Sequence, residues 1–454
     1  MRFLLAGFVA ATVLVGAAQV PAPATAVLYE GARLITGDGS APIERSAFLV
    51  QAGRFVRVGR QGENLAGPDV RRVDLTGKTV IPALIDAHSH IGYMKNLTSG
   101  PQNYTRENIL DHLYRFAYFG VAASQAMGSD FGELPFQIRN ETRAGKHPDA
   151  ARFLTAGRGL APLEEISHEN MRHAAYVVTT VEGARADVQE LARLQVPLIK
   201  TWVDTRGGTI KTLTPDLYGA IFDEAHKHGL RVAVHATGLR EAKDLLRAGV
   251  DVFAHMISDV DDELLALFKQ HPRTTVLLAL SAPRRIVSAP WLNPPNPLIR
   301  ETVRPEQIKR LQDRLGGQSV ETVEQGRQAW ERLARGVRLL SAAGVKIGVG
   351  TDGGGQNGDQ FVGWTMHAEL ENMVVAGMTP AQVLVSATKN SSEILGLDDL
   401  GTVAPGKSAD FVVLDANPLD DITNTRRISR VFLRGHEVDR AGLRAKWATG
   451  AASN

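Results

Sequence analysis

The sequence predicts an α/β fold, a (β/α)8 TIM barrel with a small β-sandwich formed by both chain ends. Three observations carry this expectation. Apolar strand candidates alternate with helical stretches through the middle of the chain, which implies a parallel sheet. Eight such candidates start near Val80, Val121, Phe153, Leu198, Val232, Val252, Val276 and Val345, enough to close a barrel. Residues able to ligate a metal stand at or near the ends of these runs: His88 and His90, Lys200, His235, His255 and Asp352. One functional residue per strand end is how a β/α barrel builds its site. A doubly wound open sheet is the alternative, but residues this far apart converge most readily in a closed one.

Length and composition are compatible with this. The chain has 454 residues, 44% of them apolar, room for one large domain and a smaller one. Its net charge of +2 predicts no general attraction to nucleic acid or anionic membrane. There is no cysteine, so disulfides, thiolate metal sites and thiol nucleophiles are excluded. Any metal must be held by nitrogen and oxygen, which suits zinc, manganese, iron or cobalt.

The elements follow in order. Residues 1–26 read as a signal peptide: Arg2, an apolar stretch from Phe3 to Val15, and the small-x-small site Ala24-Thr25-Ala26. A short membrane anchor is the alternative, but the apolar run is short for a span and Pro21 and Pro23 close it. Cleavage would leave a periplasmic or secreted protein with no membrane association. Residues 27–81 are short strands between glycine turns, the first part of the sandwich. Residues 82–396 are the barrel, with helices expected over 107–119, 181–194, 215–228, 240–248, 321–343 and 380–395. The polar, proline-rich stretch from Ser281 to Gln318 reads as an excursion after the seventh strand, placed to act as a lid. Residues 397–443 return to strand-and-turn style as the second part of the sandwich, and 444–454 form a tail.

His88-Ser89-His90 ends the apolar run Thr79-Val-Ile-Pro-Ala-Leu-Ile-Asp86. Alternate residues of a strand share a face, so both imidazoles can reach one ion. Each ligand candidate taken singly has an ordinary reading: a rim histidine, a snorkelling lysine, a turn aspartate. Their joint order along the chain argues for a site.

With these motifs in view, the chain resembles the amidohydrolase superfamily of metal-dependent hydrolases. His88-Ser-His90, Lys200, His235, His255 and Gly350-Thr-Asp352-Gly match in order, and so do the sandwich junctions Gly77-Lys-Thr-Val-Ile-Pro and Leu400-Gly-Thr-Val-Ala-Pro-Gly-Lys-Ser-Ala-Asp-Phe. Ala83 departs from a glycine usual in the family, a packing question that puts no ligand in doubt. The resemblance implies two divalent metal ions, zinc foremost, bridged by a CO2-derived carbamate on Lys200. His88, His90 and Asp352 would hold the first and His235 and His255 the second. Such ions lie about 3.5–4 Å apart, and a water they share is acidified. Asp352 would take its proton as general base and return it to the leaving amine as general acid. The apolar setting Pro197-Leu-Ile-Lys200 suits a lysine that must lose its proton to react with CO2.

The branch resembled most is peptidase-like, acting on dipeptides, Xaa-Pro compounds or N-acyl amino acids. The expected partner is a small-molecule amide, and self-association is left open. Hydrolysis of cyclic amides, lactones or carbamates on the same metals is the enzymatic alternative. A catalytically silent binding protein on the same scaffold is the alternative of another class. Tyr93, Trp202, Thr237, His168 and Gln356 are candidate substrate contacts because they fall in or near the site-bearing loops. Arg284 and Arg285 read as surface charge, with contact to a substrate carboxylate the alternative, and His226-Lys-His228 as a solvated helix end. Gly348-Val-Gly-Thr-Asp-Gly353 fits a dinucleotide fingerprint, but more loop rather than a helix is expected to follow it.

Overall fold

A computed structural model describes residues 26–163, 174–355 and 360–448. The expected leader therefore lies outside the described residues apart from Ala26. Among the described residues no helix is long and apolar enough to cross a membrane.

Two small sheets come from the chain ends. One has the order Arg54–Arg60, Ser46–Gln51, Val27–Glu30, Arg71–Asp74. The other joins both ends of the sequence: Thr79–Pro82 pairs antiparallel with Phe411–Leu414, Val80 opposite Val413 and Ile81 opposite Val412. Strand periodicity turns Tyr29, Phe48, Phe55, Phe411 and Phe432 into one buried cluster. Phe411 stacks on Phe432 with centroids 4.4 Å apart, and Tyr29 on Phe48 at 5.2 Å. Each large side chain removed from water contributes about 1.5–3 kcal/mol, so this cluster holds the two chain ends together.

The apolar run before His88 was expected to enter the barrel near Val80 and instead divides. Thr79–Pro82 belongs to the antiparallel sheet and Leu84–Ser89 to a parallel one. Pro82 has no amide hydrogen for a continuous ladder, and Ala83 N turns to the carbonyl of Asp410.

The parallel strands form two ladders. Leu84–Ser89, Val121–Ala126 and Arg152–Thr155 make one. The other runs through Gly159–Ala161, Leu198–Trp202, Arg231–His235, Val252–Phe253, Thr275–Leu278 and Lys346–Val349, with Ala175–Val177 at its edge. The ladders touch at both ends. Ser89 bridges Gly353 in parallel, and Asp352 N donates to His88 O at 2.8 Å. Across the other junction Gly159 N donates to Gly128 O at 2.9 Å. The strands Gly159–Ala161 and Ala175–Val177 were not anticipated. They are three residues each and carry too little pattern to register. Leu198 and Ala233 lie in a buried cluster with Ile85, Val252 and Leu277. Each is two residues before Lys200 or His235, so this cluster floors the site.

The helices lie within about one residue of expectation, including Arg106–Tyr118 and Val320–Ala342. Thr105, Thr180, Asp261 and Ser319 cap helices by accepting from backbone amides. The expected helix over 380–395 is interrupted by a π turn, Ser386–Asn390. There Asn390 Nδ2 donates to Ile347 O at 2.8 Å and Val349 N donates to Ser391 Oγ at 3.0 Å. The irregular turn thus grips the strand that leads to Asp352.

The excursion from Ser281 is largely helical: Ser281–Val287, Pro297–Arg300 and Pro305–Gly316. It reaches across to the loop after Leu84–Ser89, where Arg310 Nη1 donates to Leu97 O at 2.8 Å. Its start is held by Glu369, which accepts from Leu280 N at 2.7 Å and Ser281 N at 2.8 Å. Arg285, expected at the surface, is buried at 9% exposure. It lines a small crevice with Ser281, Trp291 and Thr365, because the helix that carries it packs inward.

Candidate metal centre

Four histidines from three parallel strands form a continuous row. Ring centroids of His90 and His88 are 5.3 Å apart, those of His88 and His255 4.7 Å, and those of His255 and His235 4.3 Å. Asp352 joins at one end, with Oδ1 3.0 Å from His90 Nε2 and 3.6 Å from His88 Nε2. Ligand atoms of His88, His90 and Asp352 all lie within 4.8 Å of one another.

Backbone geometry explains the convergence. His88 O accepts from both Thr351 N and Asp352 N, which ties the first parallel strand to the last. Asp352 itself is left-handed, with φ +55°, an uncommon conformation for a side-chain-bearing residue and one that recurs at functional sites. Gly350 is required beside it: a Cβ there would meet His88 Cβ at 2.6 Å.

Three of the imidazoles, those of His88, His235 and His255, are set up as neutral lone-pair donors. His88 Nδ1–H donates to Ala254 O at 2.9 Å, which leaves the Nε2 lone pair available. Burial drives the pKa of His88 and His235 well below the ordinary value and that of His255 down to about 4, with Lys200 adding to the effect at each. Burial alone would raise Asp352, but the hydrogen bond and charge of His90, with His88 and His255, hold it well below the usual carboxylate range. A neutral imidazole set beside an ionised carboxylate is what divalent-metal ligation needs.

A metal fits these residues on one observation above others. His88 Nε2 and His235 Nε2 are buried and make no hydrogen bond. A buried polar nitrogen without a partner costs about 1–3 kcal/mol. His88 Nε2 faces the same space as His90 Nε2 and Asp352 Oδ1, where a cation would satisfy it.

Lys200 is 1% exposed, its ammonium 5.1 Å from the Trp202 ring centroid. Gly128 presses on its stem: a Cβ there would meet Lys200 Cγ at 2.6 Å. Tyr93 is buried, and its hydroxyl donates to the carbonyl of Ser129. Ser129 Oγ is hydrogen-bonded with His90 Nδ1 at 2.9 Å, so Tyr93 supports the loop that orients His90. Trp202 packs on Ala161 and Ala175. The Thr237 hydroxyl donates to Asp204 Oδ2 at 2.7 Å. His168 and Gln356 lie outside the described residues.

Two site residues escaped sequence reasoning. Asp86 is fully buried and accepts from Thr351 Oγ1 at 2.6 Å, Thr351 N at 3.0 Å and His88 N at 3.2 Å. Burial pushes its carboxyl up to about 7 despite those donors. Asp204, buried at 3% exposure, lies with Oδ2 3.5 Å from His235 Nε2. It is braced by Arg206 N at 2.7 Å and by the amide and hydroxyl of Thr237. The signal for each was a carboxylate inside or just after an apolar strand, two residues before His88 and four after Lys200.

Comparison with known proteins decides the family. The amidohydrolase family profile matches residues 79–438. The chain belongs to the amidohydrolase family. This amidohydrolase is thereby placed among enzymes that act on C–N bonds, and the family implies a divalent metal centre. Among solved structures, a candidate prolidase from Bifidobacterium longum is 27% identical, with a TM-score of 0.74 over 95% of this chain and 100% of that one. An enamidase of Eubacterium barkeri is 23% identical over 408 residues, 86% of each chain. An uncharacterized protein of Mycobacterium tuberculosis is 28% identical over 217 residues, 46% of this chain. That match spans about half of the relative, 52% of its length. The glycine run at 348–353 leads from its strand into a loop, and the next described helix begins at Trp364.

Proposed function

We propose that this amidohydrolase cleaves C–N amide bonds in small peptide-like or N-acyl amino acid substrates. The observation that carries the reading is the unpartnered, buried Nε2 of His88 facing Asp352 and His90. His88, His90 and Asp352 would hold one divalent ion and His235 and His255 a second, with carboxylated Lys200 between them and zinc the metal. When bound, the ions would supply Lewis acidity, polarising a carbonyl and acidifying a water.

The chain's own residues do the rest. Asp352 Oδ1 faces His88 and His90, whereas Oδ2 accepts only a long bond of 3.3 Å from Gln360 Nε2. Oδ2 is therefore the atom that takes a proton from the attacking water and returns it to the leaving nitrogen.

The same reading includes closure of the two parallel ladders into one eight-stranded barrel. It also includes division at about residues 81 and 396, and export to the periplasm or medium after cleavage at Ala26. The candidate prolidase from Bifidobacterium longum supports a peptide-like substrate. The enamidase supports C–N cleavage in a broader set of amides.

The test is metal content and hydrolysis on protein purified without chelator from bicarbonate- and zinc-supplemented medium. Two metals per chain are expected, with turnover of dipeptides or N-acyl amino acids in preference to matched cyclic amides. Asp352→Asn should lower kcat by at least about a thousandfold. A chain that takes up no metal overturns the reading. Preference for the cyclic substrates would move it to the cyclic-amide alternative.

A further inference from the structure

A second cavity lies at the opposite end of the parallel strands from the metal ligands, in the seam between the chain-end sheets and the helices. It has a volume of about 800 Å3. Small-molecule sites fall at about 300–1,000 Å3 and favour such junctions. Its walls carry Arg54, Arg139, Arg143, Arg152 and Arg434, against the carboxylates of Asp398 and Asp399.

Most of these arginines are held by carbonyls, as Arg231, Arg310 and Arg338 are elsewhere, but here several share one recess. Arg185, Arg247 and Arg327 each meet carboxylates directly. In the seam only Arg152 does, through a two-pronged pair with Asp410 at 2.7 and 3.1 Å. Arg54 donates to Gly406 O, Arg139 to Leu194 O and Gln195 O, and Arg434 Nη2 to three carbonyls between His147 and Ala150. Carbonyls fix the direction of a guanidinium without neutralising it. Arg434 Nη1 is buried and makes no hydrogen bond, and Arg143 has no hydrogen-bond or ion-pair partner among the described residues. Burial, then neighbouring Arg143, lowers the pKa of Arg139, and burial, then Arg152, does the same for Arg434. Cations have been pressed together in a recess that focuses their field.

We propose that this seam cavity binds a compact, multiply charged oxyanion, phosphoryl groups above all, at a site separate from the metal centre. Planar guanidinium forks match phosphoryl oxygens in pairs. Arg143 and Arg139, on one helix end, would close on the ligand from the barrel side, and Arg54 from the sandwich side. Occupancy would tie the two parts of the fold together across the seam.

The probe is inorganic pyrophosphate, titrated calorimetrically into the metal-loaded wild-type chain, with acetate at matched ionic strength as the comparison. Saturable binding near one per chain is expected, at least tenfold tighter than acetate. It should weaken at least tenfold in Arg143→Glu and in Arg139→Gln. Both side chains reach solvent, so the variants should fold, and unchanged metal content checks this. Pyrophosphate can also ligate metals. Binding that persists unaltered in both variants belongs to the metal centre and overturns the proposal. So does a response no stronger than that to acetate, or none at all.

Discussion

Thr351 Oγ1 donates to Asp86 Oδ2 at 2.6 Å, joining the first and last parallel strands directly behind His88 and Asp352. Asp86 also takes the amide hydrogens of Thr351 and His88. Its burial is therefore compensated by three donors, and its job is to hold two ligand-bearing strands in register. Asp86→Ala would leave the Thr351 hydroxyl and His88 N without this acceptor in a dry interior, at about 1–3 kcal/mol for each unsatisfied group, while Thr351 N would keep His88 O. The expected outcome is destabilisation on the order of 3 kcal/mol with metal affinity reduced by about 10–100-fold. Asp86→Asn, which keeps one acceptor oxygen, should lose less of both. Denaturant unfolding and metal titration on the two variants check this ordering, and equal losses would contradict it.

Asp204 stands at the His235 end of the row of histidines. It lies beside His235 at 3.5 Å and is far from the Asp352 end in sequence and contact. Its carboxylate is beside the nitrogen that would face the ion, so it adds negative charge at that end of the site. Asp204→Ala should thus release the ion expected at His235 and His255 while His88, His90 and Asp352 keep theirs. Metal analysis should fall from two per chain towards one. Loss of both ions together would mean that Asp204 supports the whole floor of the site instead.

How much of this was readable in the sequence depended on how locally each feature is encoded. The six ligand candidates stand at ends of apolar runs, and a run's end is visible without knowing its neighbours. The row of histidines follows from parallel strands in register, which strand–helix alternation already implied. The start of the first parallel strand was harder, because two sheets share one unbroken apolar run: the strand expected near Val80 starts at Leu84, and pairing with Phe411–Leu414 claims Thr79–Pro82 for the other sheet. Arg285 was misread for a related reason: whether a helix buries a cation depends on what packs over it, here Trp291 and Thr365. Asp86 and Asp204 were present as letters, but their roles are relations to Thr351 and His235, residues distant in sequence.

His112 offers a pH test away from the metal ligands. Its Nδ1 accepts from Gly92 N at 3.0 Å and its Nε2–H donates to Met94 O at 2.7 Å, so only the neutral ring fits. Burial, partly offset by Asp111, lowers its pKa to about 4. The unfolded chain takes up a proton near pH 6.5 and the folded one only near 4. Between these values the unfolded state binds more protons, so stability falls as pH falls. The slope from this group is up to about 1.4 kcal/mol per pH unit. Above pH 6.5 the contribution is fully present and flat. Unfolding free energies measured from pH 7 to 4 should show a shallower slope in His112→Gln than in the wild type, whatever the offset between them. Parallel curves would remove His112 from the account.

Gly128 tests whether Lys200 must lie where it does. Its φ of +76° is left-handed, and a Cβ added there would stand 2.6 Å from Lys200 Cγ, 2.9 Å from Lys200 Cβ and 3.1 Å from Gly159 Cα. The clash falls on the root of the lysine side chain, which cannot swing aside as a tip could, and Trp202, next to the Lys200 ammonium, leaves no room for a side chain at Gly159. Gly128→Ala therefore meets backbone strain of about 1–3 kcal/mol and a clash with the residue proposed to bridge two ions. The expected result is a folded protein with lowered melting temperature and fewer than two metals per chain. Loss of metal should exceed that in Gly132→Ala, a neighbouring glycine at φ +70° with open space at the Cβ position. That control carries the same kind of backbone cost without touching Lys200. If both variants keep two metals, the tight packing of Lys200 is not what positions it, and its bridging role loses its structural basis.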